Sequence, residues 1–139
     1  LREGPAIVQY IADQAPATKL APPNGTVPRY QLQSWLNFIG TEVHKNFGPL
    51  FNSAMPEEAK QIFTTNLLGR LKWVDGELAG KPFLMGNDFT VADAYLFVVT
   101  NWAQPLGIDL SPFKNLLAFR ERVAARPAVQ AAMKAEGLG

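Results

Sequence analysis

The sequence predicts an all-α fold, and three observations support that prediction. From residue 28 onward, apolar residues recur three and four positions apart, which is the period of a helix face. No segment shows convincing strand alternation of apolar and polar residues. Start signals such as proline in a first turn or a capping residue precede several of the periodic stretches. We therefore expect a bundle of five helices in residues 28–139, preceded by one separate helix.

The separate helix is predicted over residues 5–15. Pro5 suits a first turn, and Glu3 just before it favours the helix dipole. A proline-rich linker follows over residues 16–27, "PATKLAPPNGTV", with little capacity for helix or strand. A helix of about eleven residues is marginal alone. We therefore expect residues 1–15 to be the tail of another domain, and the chain to be a fragment.

Proline and glycine delimit most helices of the predicted bundle. The predicted first helix runs from about Pro28 to Phe51, and the second starts at Pro56 and ends at "AGKPF". The fourth follows Ser111-Pro112, and the fifth runs from about Pro127 to Gly137. The first two carry apolar stripes, which are Leu32, Trp35, Leu36, Ile39, Val43, Phe47 and Leu50, then Ile62, Phe63, Leu67, Leu71, Val74 and Leu78.

The third helix has the clearest start signal, in "DFTVADAYLF". Thr90 stands at the N-cap and Asp93 three residues later, an aspartate version of the capping box. Asp93 is therefore expected to be structural, accepting a backbone N–H at the helix start. The helix is apolar nearly all round, which is typical of the buried centre of a bundle. The three tryptophans also lie in apolar stripes and are expected in the core.

Composition excludes several classes of function. Thirteen basic and twelve acidic residues give a net charge of +1, so the basic footprint of a nucleic-acid binder is missing. There is no cysteine and one histidine, which argues against a metal site of the usual His and Cys ligands. The cysteine count is compatible with a reducing compartment. No apolar run reaches the ~20 residues that span a bilayer.

The lone histidine lies in the stretch "TEVHKNF". On a wheel of about 100° per residue, a polar stripe falls opposite the apolar stripe of the first long helix. The stripe consists of Asn37, Thr41, His44, Lys45 and Gly48. It could be a solvent face. It could also be a binding face, because it holds asparagine, threonine, histidine and glycine where most exposed helices carry glutamate and lysine.

Together these segments resemble the cytosolic glutathione transferases, most closely the bacterial beta class. "REGPAIVQYIAD", "FLMGNDFTVADAYLF" and "RPAVQAAMKAEGL" carry the resemblance to the superfamily, and "WLNFIGTEVHKNFGPLF" indicates the beta class. The resemblance implies that residues 28–139 form the C-terminal helical domain. It also implies that residues 1–15 are the last helix of a thioredoxin-like domain.

The resemblance also implies a role for individual residues. Glu3 would pair with the ammonium of glutathione, and the backbone N–H of Gly4 would bind the adjacent carboxylate. Many family members have serine at that position, so Gly4 keeps only the backbone contact. Asn37 would reach glutathione in the neighbouring subunit. The residues expected to line the site near the thiol are Thr41, Glu42, Val43, His44 and Lys45. His44 could lower the thiol pKa or orient the substrate.

The implied reaction is attack of the glutathione thiolate on a hydrophobic electrophile, in a cytoplasmic homodimer. Glutathione would be a co-substrate, and no bound cofactor or metal is implied. The fragment alone would lack part of the glutathione site and would be inactive. An alternative remains, because helical domains of this superfamily also serve as non-catalytic binding or assembly modules. The sequence does not identify the electrophile.

Overall fold

Six helices build the chain in a computed structural model that describes residues 1–138. Apart from one isolated bridge between Phe83 and Gly86, these residues show no β pairing. The predicted all-α class and the count of five helices after a first one are confirmed. The helices are α1 Gly4–Gln14, α2 Val27–Phe38, α3 Glu57–Glu77, α4 Val91–Asn101, α5 Lys114–Ala124 and α6 Pro127–Ala135.

The continuation of α2 departs from a regular α-helix. The helical path runs on from α2 to Phe51, as predicted, but its hydrogen-bond pattern changes twice. Ile39–His44 is a π-helical turn, here called the π segment, and Gly48–Phe51 is a 3₁₀ turn, with Lys45–Phe47 between them. Such π turns are rare and often lie at functional sites. The prediction of one uniform helix was therefore wrong in the turn that carries His44.

The predicted apolar stripes form most of the core. All the predicted stripe residues of α2 and its continuation are buried except Trp35, and those of α3 are buried from Leu67 to Leu78. Ile62 is an exception, with 64% of its surface exposed. It stands five residues before Leu67, so on a helix it lies about 140° away from that residue. Placing Ile62 in the core stripe was therefore wrong.

Helix α4 lies at the centre of the bundle, as its sequence predicted. It packs against α1, α2, the π segment and α5. Leu96 and Val99 are almost completely buried within it. Its first N–H, from Val91, donates to the carbonyl of Leu20 in the linker at 2.9 Å. The linker is thereby tied to the start of the central helix.

An ion pair attaches α1 to the bundle. Arg29 on α2 is 2% exposed and forms two parallel hydrogen bonds to the carboxylate of Asp13, at 2.9 and 2.7 Å. The same guanidinium donates to the carbonyl of Pro22 and to the side chain of Gln9. Thr26 caps α2 one residue earlier than predicted, by accepting from the N–H of Arg29 at 3.4 Å. Arg29 therefore joins α1, the linker and α2.

A side chain from α3 caps the start of α5. The N-cap position of α5 is Phe113, which offers no side-chain acceptor. Instead the Asp75 carboxylate accepts the backbone N–H of Leu116 at 2.8 Å and the side-chain N–H of Asn115 at 3.4 Å. The orphan donors of a helix start are thus satisfied by a residue of another helix.

The tryptophans are only partly in the core, since Trp35 and Trp102 pack against it while partly exposed, and the prediction was wrong for Trp73. Trp73 is 48% exposed, and Trp35 and Trp102 are half-buried. Trp35, Trp73 and Phe38 pack together on the surface where α2 meets α3, with ring centroids 4.6 to 6.0 Å apart. The apolar period predicted that these large rings face the core, but they lie at the edge of the core-facing side of each helix.

Candidate functional site

The π segment turns His44 toward the bundle. Residues 37, 41, 45 and 48 are exposed, but His44 is half-buried. Placing His44 on a face directly opposite the core was therefore wrong. A π turn closes its hydrogen bonds five residues apart instead of four, so each residue advances by less than the 100° assumed for the wheel. Because the turn is wider, His44 faces α4.

His44 meets two aromatic side chains from α4 and its C-terminal end. Its Nδ1 lies 2.8 Å from the hydroxyl oxygen of Tyr95, a hydrogen bond between residues 51 positions apart. Its ring also stands edge-on to Trp102, with centroids 4.8 Å apart and planes at 77°. Both contacts fix the plane of the imidazole. Nε2 has no hydrogen-bond partner among residues 1–138 and is not among their buried unsatisfied atoms, so it retains some solvent-accessible surface.

Tyr95 connects His44 electrostatically to the start of α1. Burial raises the pKa of the Tyr95 hydroxyl, and the negative charge of Glu3 raises it further. The hydroxyl therefore stays protonated at neutral pH. Its oxygen also lies 3.6 Å from the position that a Cβ on Gly40 would occupy, so the π segment passes close above it. Glu3, Tyr95 and His44 come from three separate elements and are called one neighbourhood below, because Tyr95 bonds to His44 and the charge of Glu3 acts on the Tyr95 pKa.

Glu3 and Gly4 stand at the N-terminus of α1. Glu3 is the N-cap residue and has φ 68° and ψ 122°, an unusual backbone conformation for a residue with a side chain. Such backbone strain is concentrated at functional sites. Its side chain is exposed, and its carbonyl accepts from the backbone of Ala6 and Ile7. The carboxylate and the free end of the helix therefore face solvent together, next to Tyr95.

The remaining polar residues of the stripe lie on the open surface. Asn37, Thr41 and Lys45 are exposed. The Thr41 hydroxyl donates to the carbonyl of Asn37 at 3.1 Å, four residues before it. Lys45 makes no ion pair with any residue that the structure describes. These side chains are accessible to a ligand or to a second protein.

Glu42 and Val43 have different surroundings. The Glu42 carboxylate pairs with Arg70 of α3 at 2.8 Å. Val43 is fully buried in the core, so only its backbone remains for a ligand. The predicted lining residues are therefore split, with His44 beside Tyr95 and Thr41 and Lys45 on the outer surface.

Thr90 and Asp93 form the predicted capping box at the start of α4. One carboxylate oxygen of Asp93 accepts from the Thr90 backbone at 2.8 Å and from the Thr90 hydroxyl at 3.0 Å. The other accepts from the backbone of Leu84 at 2.8 Å. Burial raises the pKa of Asp93, while these hydrogen bonds lower it. The carboxylate thus holds the turn before α4 to the helix start and is occupied by structural contacts.

Tyr95 is the residue of this neighbourhood that sequence reasoning missed as a site residue. Because it lies in an apolar helix, the sequence predicted only a core position for it. The signal that could have found it is its hydroxyl, since a buried tyrosine oxygen usually has a hydrogen-bond partner. Trp102 also lies against His44. Phe47 and Phe51 pack on the same tryptophan, with centroids 5.9 Å away.

Two further findings concern residues 1–138. No helix there is long and apolar enough to cross a bilayer. No group of three or more His, Cys, Asp or Glu side chains lies close enough together to hold a metal ion.

Comparisons with known proteins identify the class to which this fold and site belong. Residues 38–127 match the family described as "Glutathione S-transferase, C-terminal domain". Among curated proteins, the chain is 44% identical to glutathione S-transferase GstA of Escherichia coli O157:H7, covering 99% of this chain and 69% of that protein. It is 39% identical to glutathione S-transferase GST-4.5 of Xanthomonas campestris, again over 99% of the chain and 71% of that protein.

Solved structures give the same result. The chain superimposes on BphK, a bacterial glutathione transferase in a ternary complex, with a TM-score of 0.98 at 54% identity over 99% of this chain and 69% of that one. A beta-class enzyme from Sphingomonas chungbukensis gives 0.96 at 49% identity over 100% of this chain and 69% of that one. A sphingomonad enzyme complexed with glutathione gives 0.95 at 48% identity, with the same coverage. The chain belongs to the glutathione S-transferase family, in its bacterial beta class.

Proposed function

We propose that this chain supplies the helical part of a glutathione S-transferase that adds the glutathione thiolate to hydrophobic electrophiles. The observation that carries the proposal is the neighbourhood of Glu3, Tyr95 and His44. Its members are a carboxylate at an open helix N-terminus, a tyrosine whose pKa that carboxylate raises, and an imidazole bonded to the tyrosine. Glutathione has an ammonium group, two carboxylates and a thiol, so the Glu3 carboxylate, the helix N-terminus and the imidazole each have a complementary partner on it.

Glu3 and Gly4 are suited to the γ-glutamyl end of glutathione. The Glu3 carboxylate would pair with the ammonium, and the amide of Gly4 at the helix N-terminus would bind the neighbouring carboxylate. The exposed Lys45 would attract the anionic ligand. Asn37 lies on the outer face of α2, which suits contact with glutathione held by a neighbouring subunit in a homodimer. Exposed apolar groups on the adjacent helices, Tyr30 on α2 and Ile62 and Trp73 on α3, support such an interface.

His44 would act on the sulfur. A donor near a thiol stabilises the thiolate, lowers the thiol pKa and raises the reactive fraction. With a chlorinated nitrobenzene, the thiolate forms the C–S bond, chloride leaves, and the thiol proton goes to solvent. Trp102 and the 52% exposed Phe51 offer an apolar surface beside His44 for such an electrophile.

We also propose that residues 1–15 pack as the last helix of a thioredoxin-like domain, followed by the linker 16–27 and the helical domain 28–139. The lengths of the relatives support this arrangement, since the chain spans 69% of GstA. The exposed Tyr10 and Ile11 of α1 would be covered by that domain. Residues 1–139 alone are therefore expected to give no detectable conjugation. We further propose a cytoplasmic location, which the resemblance to cytosolic members of the family supports.

The test uses the natural full-length protein. It is expected to be retained on immobilised glutathione and to conjugate 1-chloro-2,4-dinitrobenzene. Glu3→Gln should weaken glutathione binding by about tenfold or more, because it removes a charge-assisted contact. Glu57→Gln is the matched control, since Glu57 is exposed in the first turn of α3, and it should bind as the wild type does.

His44→Ala should lower kcat/KM for conjugation. If the protein is not retained on glutathione and His44→Ala conjugates as well as the wild type, the enzymatic proposal fails. A non-catalytic binding or assembly module would then describe the domain better.

A further inference from the structure

We infer that Tyr95 is a positioning residue, which holds His44 in the neutral tautomer with the proton on Nε2 and presents that N–H to the site. The inference concerns the ring nitrogen that carries the proton. Its consequence for the sulfur rests on the proposed function, whereas the tautomer itself does not.

The hydrogen-bond inventory around Tyr95 gives the direction of the bond. A neutral imidazole has one N–H and one lone-pair nitrogen, and a phenol has one hydrogen to donate. Among residues 1–138, Nδ1 of His44 is the acceptor within reach of the Tyr95 hydroxyl hydrogen, at 2.8 Å. If Nδ1 instead carried the proton, it would donate to the phenol oxygen, and the phenol hydrogen would then have no acceptor among residues 1–138. Donation from Tyr95 to Nδ1 satisfies both.

The state of the phenol supports the same direction. Burial and the charge of Glu3 raise the Tyr95 pKa, so the group is a neutral phenol at neutral pH and not a phenolate that could only accept. A phenol beside a lone pair at this distance donates. The tautomer of a histidine is commonly set by the hydrogen bond at its other nitrogen.

The orientation of the ring decides which nitrogen a ligand meets, so the tautomer decides whether the ligand meets an N–H or a lone pair. A half-turn of the imidazole would put a ring carbon in place of Nδ1 beside the Tyr95 hydroxyl, so the hydrogen bond favours the observed orientation, with Trp102 edge-on to the ring. Nδ1 is engaged with Tyr95, and Nε2 retains some solvent-accessible surface. With the proton on Nε2, His44 would meet a bound sulfur as a hydrogen-bond donor. A donor stabilises the thiolate, whereas a lone pair there would have to take the thiol proton first.

The sequence permits a direct test, because His44 is the only histidine in the chain. A long-range ¹⁵N–¹H NMR spectrum of the ¹⁵N-labelled chain contains one imidazole, so both ring nitrogens are assigned at once. The spectrum is recorded at a pH where the ring is neutral. The expected result is an unprotonated Nδ1 and a protonated Nε2. A proton on Nδ1 in the wild-type chain overturns the inference without any variant.

A pair of tyrosine variants then tests the cause. Tyr95→Phe removes the donor and should shift the spectrum toward a mixture of the two tautomers. Tyr30→Phe is the matched control, since Tyr30 is 62% exposed and is not among the residues that contact the His44 ring, and it should leave the spectrum unchanged. A tautomer that is equally fixed in Tyr95→Phe shows that another group sets it. Circular dichroism verifies that each variant is folded. If Tyr95→Phe does not fold, the NMR spectrum of the wild-type chain alone still tests the tautomer.

Kinetics on the natural full-length protein test the effect on the reaction. Tyr95→Phe should lower kcat about 3- to 10-fold, the effect of one hydrogen bond of ordinary net strength, with little change in KM for glutathione. An unchanged kcat together with a lost tautomer would overturn the positioning role. If the tautomer results hold but no variant or wild type conjugates glutathione, the proposed function fails and the Tyr95 bond to His44 stands.

Discussion

Replacing Asp93 with alanine should cost this domain a large part of its stability. Asp93 is fully buried, and its carboxylate accepts three hydrogen bonds. The donors are the backbone N–H groups of Leu84 and Thr90 and the hydroxyl of Thr90, and both donor residues are 3% exposed. Alanine provides no acceptor, and the bundle leaves little room for water to replace it.

The size of the loss follows from the number of donors left without a partner. A buried donor without an acceptor costs about 1–3 kcal/mol, so three donors give roughly 3–9 kcal/mol at most. Removing the carboxylate also removes the cost of burying a charge, the same burial that raises the Asp93 pKa. We therefore expect Asp93→Ala to lower the free energy of unfolding by about 3 kcal/mol, against about 5–15 kcal/mol for a typical domain.

The assay is urea unfolding followed by fluorescence of the three tryptophans and by circular dichroism. Asp88→Ala is the matched control, because Asp88 is exposed in the same turn, and it should change stability by less than about 0.5 kcal/mol. A loss for Asp93→Ala no larger than that of the control would refute the claim that this carboxylate holds the turn to the helix. A smaller slope of the unfolding free energy against urea concentration would indicate instead that less surface is exposed on unfolding, as for a less compact folded state.

The remaining predictions concern the other capping and ion-pair contacts. Thr90→Ala should lower the free energy of unfolding by about 1 kcal/mol through loss of the cap, and an unchanged melting temperature would argue against that assignment. Asp75→Ala should cost about 1–2 kcal/mol, because the Leu116 N–H at the start of α5 loses its acceptor; equal urea midpoints for variant and wild type would contradict this. Hydrogen bonds from Arg29 and its charge hold the Asp13 pKa below its usual value, so the pair stabilises the fold above the unfolded pKa of about 3.9 and loses that contribution as pH falls. Asp13→Asn should therefore weaken the dependence of the unfolding free energy on pH in this acid range. The same pH dependence in the variant and the wild type would contradict the role of the Asp13–Arg29 pair.

Much of the fold was predictable because it depends on local rules. Thr90 and Asp93 are three residues apart, so their capping box is visible in the sequence and needs only a helix start to form. The apolar period of α2 gave the buried positions correctly from Leu32 to Leu50, apart from the half-buried Trp35. The π segment is short, so the apolar residues before and after it still point into the core, and the period remained a valid guide to the buried positions.

Errors arose where one assumed geometry was extended too far. A uniform 100° per residue put His44 on the solvent side, although the π segment rotates it toward α4. Ile62 was also counted in the apolar stripe of α3, although it stands five residues before Leu67, a spacing outside the three- and four-residue period. Apolar character alone also could not tell a buried tryptophan from one at the edge of a helix, which is where Trp73 lies.

By itself, the sequence determined the all-α class, the helix starts, most of the core and the resemblance to beta-class glutathione transferases. Only the tertiary structure decided which side chains meet. It placed the Tyr95 hydroxyl on His44 across 51 residues, and the Asp75 carboxylate at the start of α5 across 41. The physical reason is that caps and periods are set by neighbours in the chain. A hydrogen bond between distant residues depends on how whole helices pack, and no local pattern records it.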